Sequence, residues 1–111
     1  QALLDAFYNK ENGPFTPHLV RLFFAPDDKE SRPLGFDVPS DDRPSCGQFF
    51  SDQTIGHLGF TGTSFWMDLK QKIIVVLCTN RIHPSRFNHQ IRDWRPRLHD
   101  TIMADLKYLS Q

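Results

Sequence analysis

Cysteine is scarce in this chain: Cys46 and Cys78 are the two in 111 residues. No C-x-x-C spacing occurs, which argues against a zinc site and a disulfide scaffold, so a free pair is expected. Cys78 ends an apolar run and reads as a small buried hydrophobe. Long hydrophobic runs are missing as well. The longest, Ile73 to Cys78, falls far short of the roughly 18 residues a membrane span requires, so no membrane span is expected. Net charge is absent, since Lys+Arg and Asp+Glu both number 13. Nothing global therefore steers the chain toward nucleic acid or an anionic surface. No H-x-x-x-H, H-x-H or H-E-x-x-H spacing joins His18, His57, His83, His89 and His99, so no metal is expected and the histidines read as structural or surface groups. No basic leader opens the sequence and Gln1 is not an initiator methionine, so the natural N-terminus is expected upstream. Repeats and low-complexity tracts are lacking too. What remains, 39% hydrophobic residues, suits one globular domain with one modest core.

Along the chain, ALLDAFY (2–8) supports a turn or two of helix that Asn12-Gly13-Pro14 would stop. Thr16 and Pro17 make a good N-cap and first helical residue for PHLVRLFF, whose Leu19, Leu22 and Phe23 share one face. Ala25 to Asp28 would end that helix, and the charged stretch to Arg32 reads as an exposed connection. Residues 1–33 are thus expected to be a peripheral helical lead-in.

Residues 34–111 are expected to form a sheet-and-helix unit. LGFDV (34–38) is a short strand candidate, and Pro39 to Gly47 a polar loop. Phe49-Phe50, Ile55 to Phe60, Thr63 to Asp68 and Lys72 to Thr79 follow as strand-like runs. Their short connections predict antiparallel pairing as a meander. Ile73 to Cys78 has no polar alternation, which predicts burial on both faces of the sheet. Ile91, Trp94, Leu98, Ile102, Leu106 and Leu109 form one apolar helical stripe, expected to pack on that sheet. Asp93 as N-cap would leave Pro96 in the first turn, where its missing N–H costs little. The expected class is α+β: an antiparallel meander of about three to four strands packed by a C-terminal amphipathic helix, with a short helical N-terminal region.

Two segments draw attention chemically. NRIHPSRFNHQIRDWRPR carries Arg81, Arg86, Arg92, Arg95 and Arg97 with Phe87 and Trp94 interleaved, a composition also seen on nucleic-acid surfaces. Trp94 belongs to the apolar stripe, and Asp93 and Asp100 interrupt the charge. Arginines flanking a packed helix account for the segment, and no nucleic-acid partner is expected. The second segment, GHLGFTG (56–62), loads a strand with glycines that weaken it. One reading is that glycine removes side-chain cover, so that unpaired N–H groups can donate to a carbonyl becoming an oxyanion, with His57 beside them to hydrogen bond or handle a proton. The other is that Gly56, Gly59 and Gly62 mark bulges and a tight hairpin, with His57 incidental. The residues alone leave both open.

The run His57-Leu58-Gly59-Phe60-Thr61-Gly62 resembles the third signature of the serine β-lactamase and penicillin-binding-protein superfamily, in an H-x-G variant of its K-T-G motif. The order LGFDVPS, polar loop, GHLGFTGTSFWMD, short turn, KIIVVLCTNRIHPSR is similar to the C-terminal portion of β-lactamase-related esterases and carboxypeptidases. It covers residues 34 to 100. The resemblance implies part of a β-lactamase/transpeptidase-like fold and an acyl-enzyme mechanism with no cofactor and no metal, acting on a small ester or amide. A serine in S-x-x-K would attack the acyl carbonyl, and a lysine and a tyrosine would manage its proton. Carried over by position, His57 would polarise or orient the substrate, and Gly59 would keep the strand edge uncovered. The Phe60 N–H would supply one of two oxyanion donors. Leu58, Thr61 and Gly62 would line the substrate, Leu58 replacing a threonine hydroxyl, which favours an ester over a penicillin-type substrate. The family occurs in the cell envelope and inside cells, with the envelope favoured here.

The nucleophile is what the sequence lacks. Ser31, Ser40, Ser45, Ser51, Ser64, Ser85 and Ser110 all lack a lysine three residues on. Tyr108-Leu109-Ser110 spells Y-x-S only at the end of the amphipathic helix. Two expectations follow: a C-terminal fragment of a serine hydrolase, inert alone, whose partner is the missing N-terminal part of the same fold; or a non-catalytic binding or assembly module, whose open sheet edges would favour a self-associated copy.

Overall fold

Three short strand-forming runs, two that mix apolar and polar residues and one wholly apolar, make the centre of the molecule. In the computed structural model, which describes residues 1–10, 13–24 and 33–110, these runs are β1 (Thr54–Leu58), β2 (Ser64–Asp68) and β3 (Ile73–Leu77). They form one antiparallel sheet in the order β1-β2-β3, with Gly56 opposite Trp66 and Trp66 opposite Val75. Side chains of a strand alternate between faces, so each strand contributes to two unlike surfaces. One face carries Ile55, Phe65, Met67 and Ile74. The other carries Thr54, Gly56, Ser64, Trp66 and Asp68.

Two short helices, α1 (Ala2–Phe7) and α2 (Pro17–Phe24), cover the first face. Leu4, Ala6, Val20 and Phe24 join Ile55, Met67 and Leu69 in one buried cluster. Phe24, Phe36 and Phe65 extend it as edge-to-face pairs, with centroids 5.2 and 6.1 Å apart. The two helices thus supply four of the seven residues of this cluster, where a peripheral lead-in was expected. Thr16 caps α2 as expected, its Oγ1 accepting the Leu19 N–H at 3.4 Å. The buried line of α2 is nevertheless Val20 and Phe24, while Leu19, Leu22 and Phe23 are exposed. The expected stop at Asn12 and the expected connection from Ala25 to Arg32 lie outside the described residues.

A single long helix, α3 (Ile91–Leu109), covers the second face. It buries Arg95, His99 and Met103, a line of four-residue steps lying beside the expected stripe. Trp94, Leu106 and Leu109 of that stripe are exposed. The helix starts at Ile91, not after an Asp93 cap, because Trp94 N–H already reaches the Gln90 carbonyl at 3.1 Å. Pro96 thus falls in the second turn, where the proton it lacks would have bonded the carbonyl of exposed Arg92, which water can satisfy.

Three strand expectations change. LGFDV contributes one bridge, Asp37 to Gly56. Gly35 turns the chain left-handed at φ 75° and Pro39 follows, so no longer pairing forms. Phe49-Phe50 lies in a bend. β3 is an edge strand whose residues are partly exposed, Val76 at 62%. Its apolar run reads as fully buried only if a further strand flanks it. Cys78, just beyond it, is exposed, whereas Cys46 is buried; both thiols are free.

Candidate functional site

GHLGFTG occupies the end of β1 and the turn into β2. On the outer side of β1, Asp37 N–H donates to the Gly56 carbonyl at 2.7 Å, and Gly56 N–H to the Asp37 carbonyl at 2.9 Å. Backbone groups alternate sides along a strand, so those of Leu58 also point outward while those of Ile55 and His57 face β2. Past the one bridge found among the described residues none of them pairs with this edge, and His57, Leu58, Gly59 and Phe60 are all exposed. In the turn, Gly59 N–H donates back to the Thr63 carbonyl at 2.6 Å and Gly62 N–H to the Gly59 carbonyl at 3.0 Å. Between them the Phe60 and Thr61 N–H groups have no acceptor among the described residues, and Phe60 is the exposed one of the two.

Two of the glycines have packing reasons. A Cβ on Gly56 would run into the Phe65 carbonyl and the Trp66 ring of the neighbouring strand. Gly62 sits at φ 91°, with Thr79, Arg81 and Ile91 closed around its Cα. Of the residues carried over from the motif, the structure gathers His57, Leu58, Gly59 and Phe60 at one exposed corner. Thr61 and Gly62 turn toward the interior. Thr61 Oγ1 pairs with Thr63 Oγ1 at 3.2 Å, and Gly62 is buried.

Sequence reasoning placed the arginines on the flanks of a packed helix, and the structure corrects that. Arg95 is 4% exposed and donates through a terminal guanidinium nitrogen to the Gly62 carbonyl at 2.6 Å. Its pKa is lowered by burial and then by the charge of Arg81. Arg81 Nε donates to the Phe60 carbonyl at 2.9 Å, and one of its terminal nitrogens to the carbonyls of Arg86 and Asn88, both at 2.9 Å. Arg81 and Arg86 also lie over the Phe60 ring, 5.0 and 5.4 Å from its centroid. A four-residue step from Arg95 through His99 to Met103 was the available signal; nothing in the sequence pattern pointed to Arg81.

The seam between α3 and the sheet is polar. Asp68 is fully buried and accepts four hydrogen bonds, from the N–H and hydroxyl of Ser51 at 2.7 Å each and from the Gln71 N–H and side-chain amide at 2.8 and 2.7 Å. Burial pushes its pKa up, but these donors outweigh that and hold it below the ordinary carboxylate value. His99 Nδ1–H donates to the Ser45 carbonyl at 3.1 Å. Its pKa is lowered by burial, against a smaller opposing effect of that bond. Thr54 Oγ1, Ser64 Oγ, Trp66 Nε1, Arg95 Nε and His99 Nε2 are buried without a hydrogen-bond partner among the described residues. Burial raises the Cys46 thiol to about 11, so it is protonated at neutral pH and no nucleophile.

Other concavities lie elsewhere. One of about 420 Å³ opens between the end of β3 and the start of α3, beside Asn80, Arg81, Asn88, Trp94 and Arg97. None of His57, Leu58, Gly59 and Phe60 lines it. Among the described residues no three His, Cys, Asp or Glu side chains converge as a cation site, and no helix is long and apolar enough to cross a membrane. No protein family, curated protein or solved structure matches the chain.

Proposed function

We propose that this chain supplies the strand-and-turn wall of an acyl-transfer site in a serine hydrolase of the β-lactamase and penicillin-binding-protein type, whose nucleophile lies outside this sequence. The supporting observation is the Phe60 N–H, a backbone donor without an acceptor among the described residues, on an exposed turn beside exposed His57. A donor of this kind, fixed before the substrate arrives, stabilises the negative oxygen that develops when a nucleophile adds to an acyl carbonyl. An acyl group laid along the open edge of β1 past Gly59 brings its oxygen to that N–H. His57 then orients or polarises the substrate, and Leu58 gives an apolar contact that favours an ester. The serine, its lysine and the second oxyanion donor belong to other segments.

The reading frame that encodes this chain, followed upstream, provides the test. It is expected to contain a serine in S-x-x-K, and its product to hydrolyse a nitrophenyl ester until treated with a serine-directed phosphonate. His57→Ala in that product should lower kcat about a hundredfold. Absence of S-x-x-K from the frame sinks the hydrolase reading, and an unchanged kcat removes His57 from the site. The 111-residue chain alone should be inert.

A second reading, an assembly module, draws on another observation. Among the described residues nothing pairs with the outer side of β3, and its Val76 is exposed. Such an edge invites another strand. A monomer by sedimentation at high concentration, from a frame that also lacks S-x-x-K, would dismiss both readings.

A further inference from the structure

The turn from Gly59 to Thr63 has every carbonyl oxygen occupied. Gly59 accepts from Gly62 N–H, Phe60 from Arg81 Nε, and Thr63 from Gly59 N–H. Thr61 accepts both Arg81 N–H at 2.9 Å and Thr79 Oγ1–H at 3.1 Å. Gly62 accepts from buried Arg95. The donors come from three places in the chain: the turn itself, the segment just after β3, and the second turn of α3. Short exposed turns of five residues ordinarily leave several carbonyls to water. Here all are claimed by protein, while the N–H groups of Phe60, Thr61 and Thr63 have no acceptor among the described residues, and of these three residues Phe60 alone is exposed.

We propose that Arg81 is the positioning residue of the Phe60 amide, with Arg95 as a second anchor. The inference rests on the hydrolase reading for its functional meaning, though not for its structural content. Arg81 reaches Phe60 in three ways: Nε on its carbonyl, guanidinium over its ring, and main-chain N–H on the next carbonyl. Its other contacts, to Arg86 and Asn88, tie the same guanidinium to the loop before α3. A planar fork bound to three carbonyls has one orientation, so the Phe60–Thr61 peptide plane is fixed directly. The adjoining Gly59–Phe60 plane, which carries the Phe60 N–H, is held between that plane, the Gly62 N–H on the Gly59 carbonyl and the guanidinium over the Phe60 ring. Arg95 holds the far end of the turn through one bond, to the Gly62 carbonyl. The geometry that an oxyanion donor needs, a rigid N–H in a set direction, is thus maintained by groups that never touch the substrate. A lysine at position 81 could serve one of the three carbonyls and lacks the fork.

The ¹⁵N-labelled 111-residue chain tests this by amide NMR. In the wild type, Phe60 should give one sharp signal and exchange with solvent as an unprotected amide, while Gly62 is slowed. In Arg81→Gln, the Phe60 signal should broaden or split while the Trp66 indole signal stays in place; Arg81→Lys should fall between. A Phe60 signal in Arg81→Gln with wild-type shift and line width overturns the proposal. So does collapse of both variants, which would make Arg81 a support of the whole fold and not of this turn. Should Arg81→Gln alone fail to fold, Arg81→Lys decides by the same Phe60 signal. In the full reading-frame product, Arg81→Lys should lower kcat about tenfold with KM nearly unchanged. Altered Phe60 signals with unaltered kcat would leave the positioning intact and defeat the hydrolase reading of the turn. Loss of kcat in His57→Ala with a Phe60 signal indifferent to position 81 would do the reverse.

Discussion

Alternate residues of the same three strands build two faces that meet opposite chemistry. Toward α1 and α2, Ile55 and Met67 meet Leu4, Ala6, Val20 and Phe24 in an apolar cluster, with the Tyr8 hydroxyl on the Leu69 carbonyl at its margin. Toward α3, Thr54, Ser64, Trp66 and Asp68 share a seam with Arg95 and His99, and five of the seam's polar atoms lack partners among the described residues. Apolar burial stabilises in proportion to area and is indifferent to small shifts. Buried polar groups contribute little net stability but demand particular positions. The first face therefore holds the sheet together, and the second sets where the turn and loops sit: Arg95 fixes Gly62, Asp68 fixes Ser51 and Gln71, and His99 fixes Ser45.

The sharpest way to break this division is to cut each face and compare. Met67 is 4% exposed, and Met67→Ala should cost about 3 kcal/mol through lost burial and a cavity. Arg95→Met, which exchanges a buried cation for an apolar chain of similar reach, should stay within about 1 kcal/mol of the wild type. Urea unfolding of both variants measures this. Equal losses would mean that the polar seam carries the fold as much as the apolar face does.

Acid offers a second, smaller contrast, because the buried titrating groups lie in and beside the seam. Asp68 has a folded pKa below its ordinary 3.8, so its contribution is complete above that value and is lost as pH falls through the folded pKa. His99 is likewise lowered, from 6.5. Its neutral form suits the folded site, so stability is full above about pH 6.5 and declines as pH falls from there to the folded pKa. The groups around it act in opposite senses, Arg95 against protonation and Asp100 in favour of it. A stability curve should therefore be flat from pH 7 to the ordinary thiol value of 9.0, and fall above it because the buried Cys46 resists ionisation. On the acid side it should fall first below 6.5 and again below 3.8. His99→Gln should erase the first fall. Asp68→Asn should cost about 2 kcal/mol at neutral pH, the scale of hydrogen bonds to a charged group, and erase the second. Met67→Ala should lower the whole curve without changing its shape; a changed shape would tie the apolar face to the titrations.

Which parts of this were legible in the sequence follows from how local their causes are. Although the strand ends fall up to two residues from the expected ones, the existence of β1, β2 and β3, their meander order and the Thr16 cap depend on strand-forming runs, short turns and one side-chain oxygen, all readable within a few residues. The buried lines of α2 and α3 were not. Periodicity ranks side chains by apolarity and selects Leu19, Leu22 and Phe23, or Trp94 and Leu106. The line that turns inward on α3 is decided by what the sheet and loops offer, here the carbonyls of Gly62 and Ser45, which take Arg95 and His99. The exposure of β3 depends on strand order, a property of the whole sheet. At the candidate site, the residue pattern placed Ile55 to Phe60 on a strand; the structure ends it at Leu58 and puts Gly59 and Phe60 in the turn. The hold of Arg81 on Phe60 spans 21 residues and ends on a backbone carbonyl, which leaves no pattern in the chain.

The smallest effect separates the faces most finely, because Thr54 and Ile55 are neighbours in β1 that point to opposite sides. Thr54 is 1% exposed and Ile55 3%, so each substitution to valine acts in a closed environment. Ile55→Val removes one methylene from the apolar cluster and should cost about 1 kcal/mol. Thr54→Val keeps the shape and exchanges a buried hydroxyl that lacks a partner among the described residues for a methyl group. Leaving a hydroxyl buried and unbonded is unfavourable, so this variant should gain about 1 kcal/mol. Thermal unfolding of the pair at pH 7.5, above both acid transitions, reads the two signs directly. Opposite signs from adjacent residues would place the division of labour between the faces at single-residue resolution. A loss at Thr54 equal to that at Ile55 would show that its hydroxyl is bonded in solution, and the seam would then be a satisfied network that stabilises as well as positions.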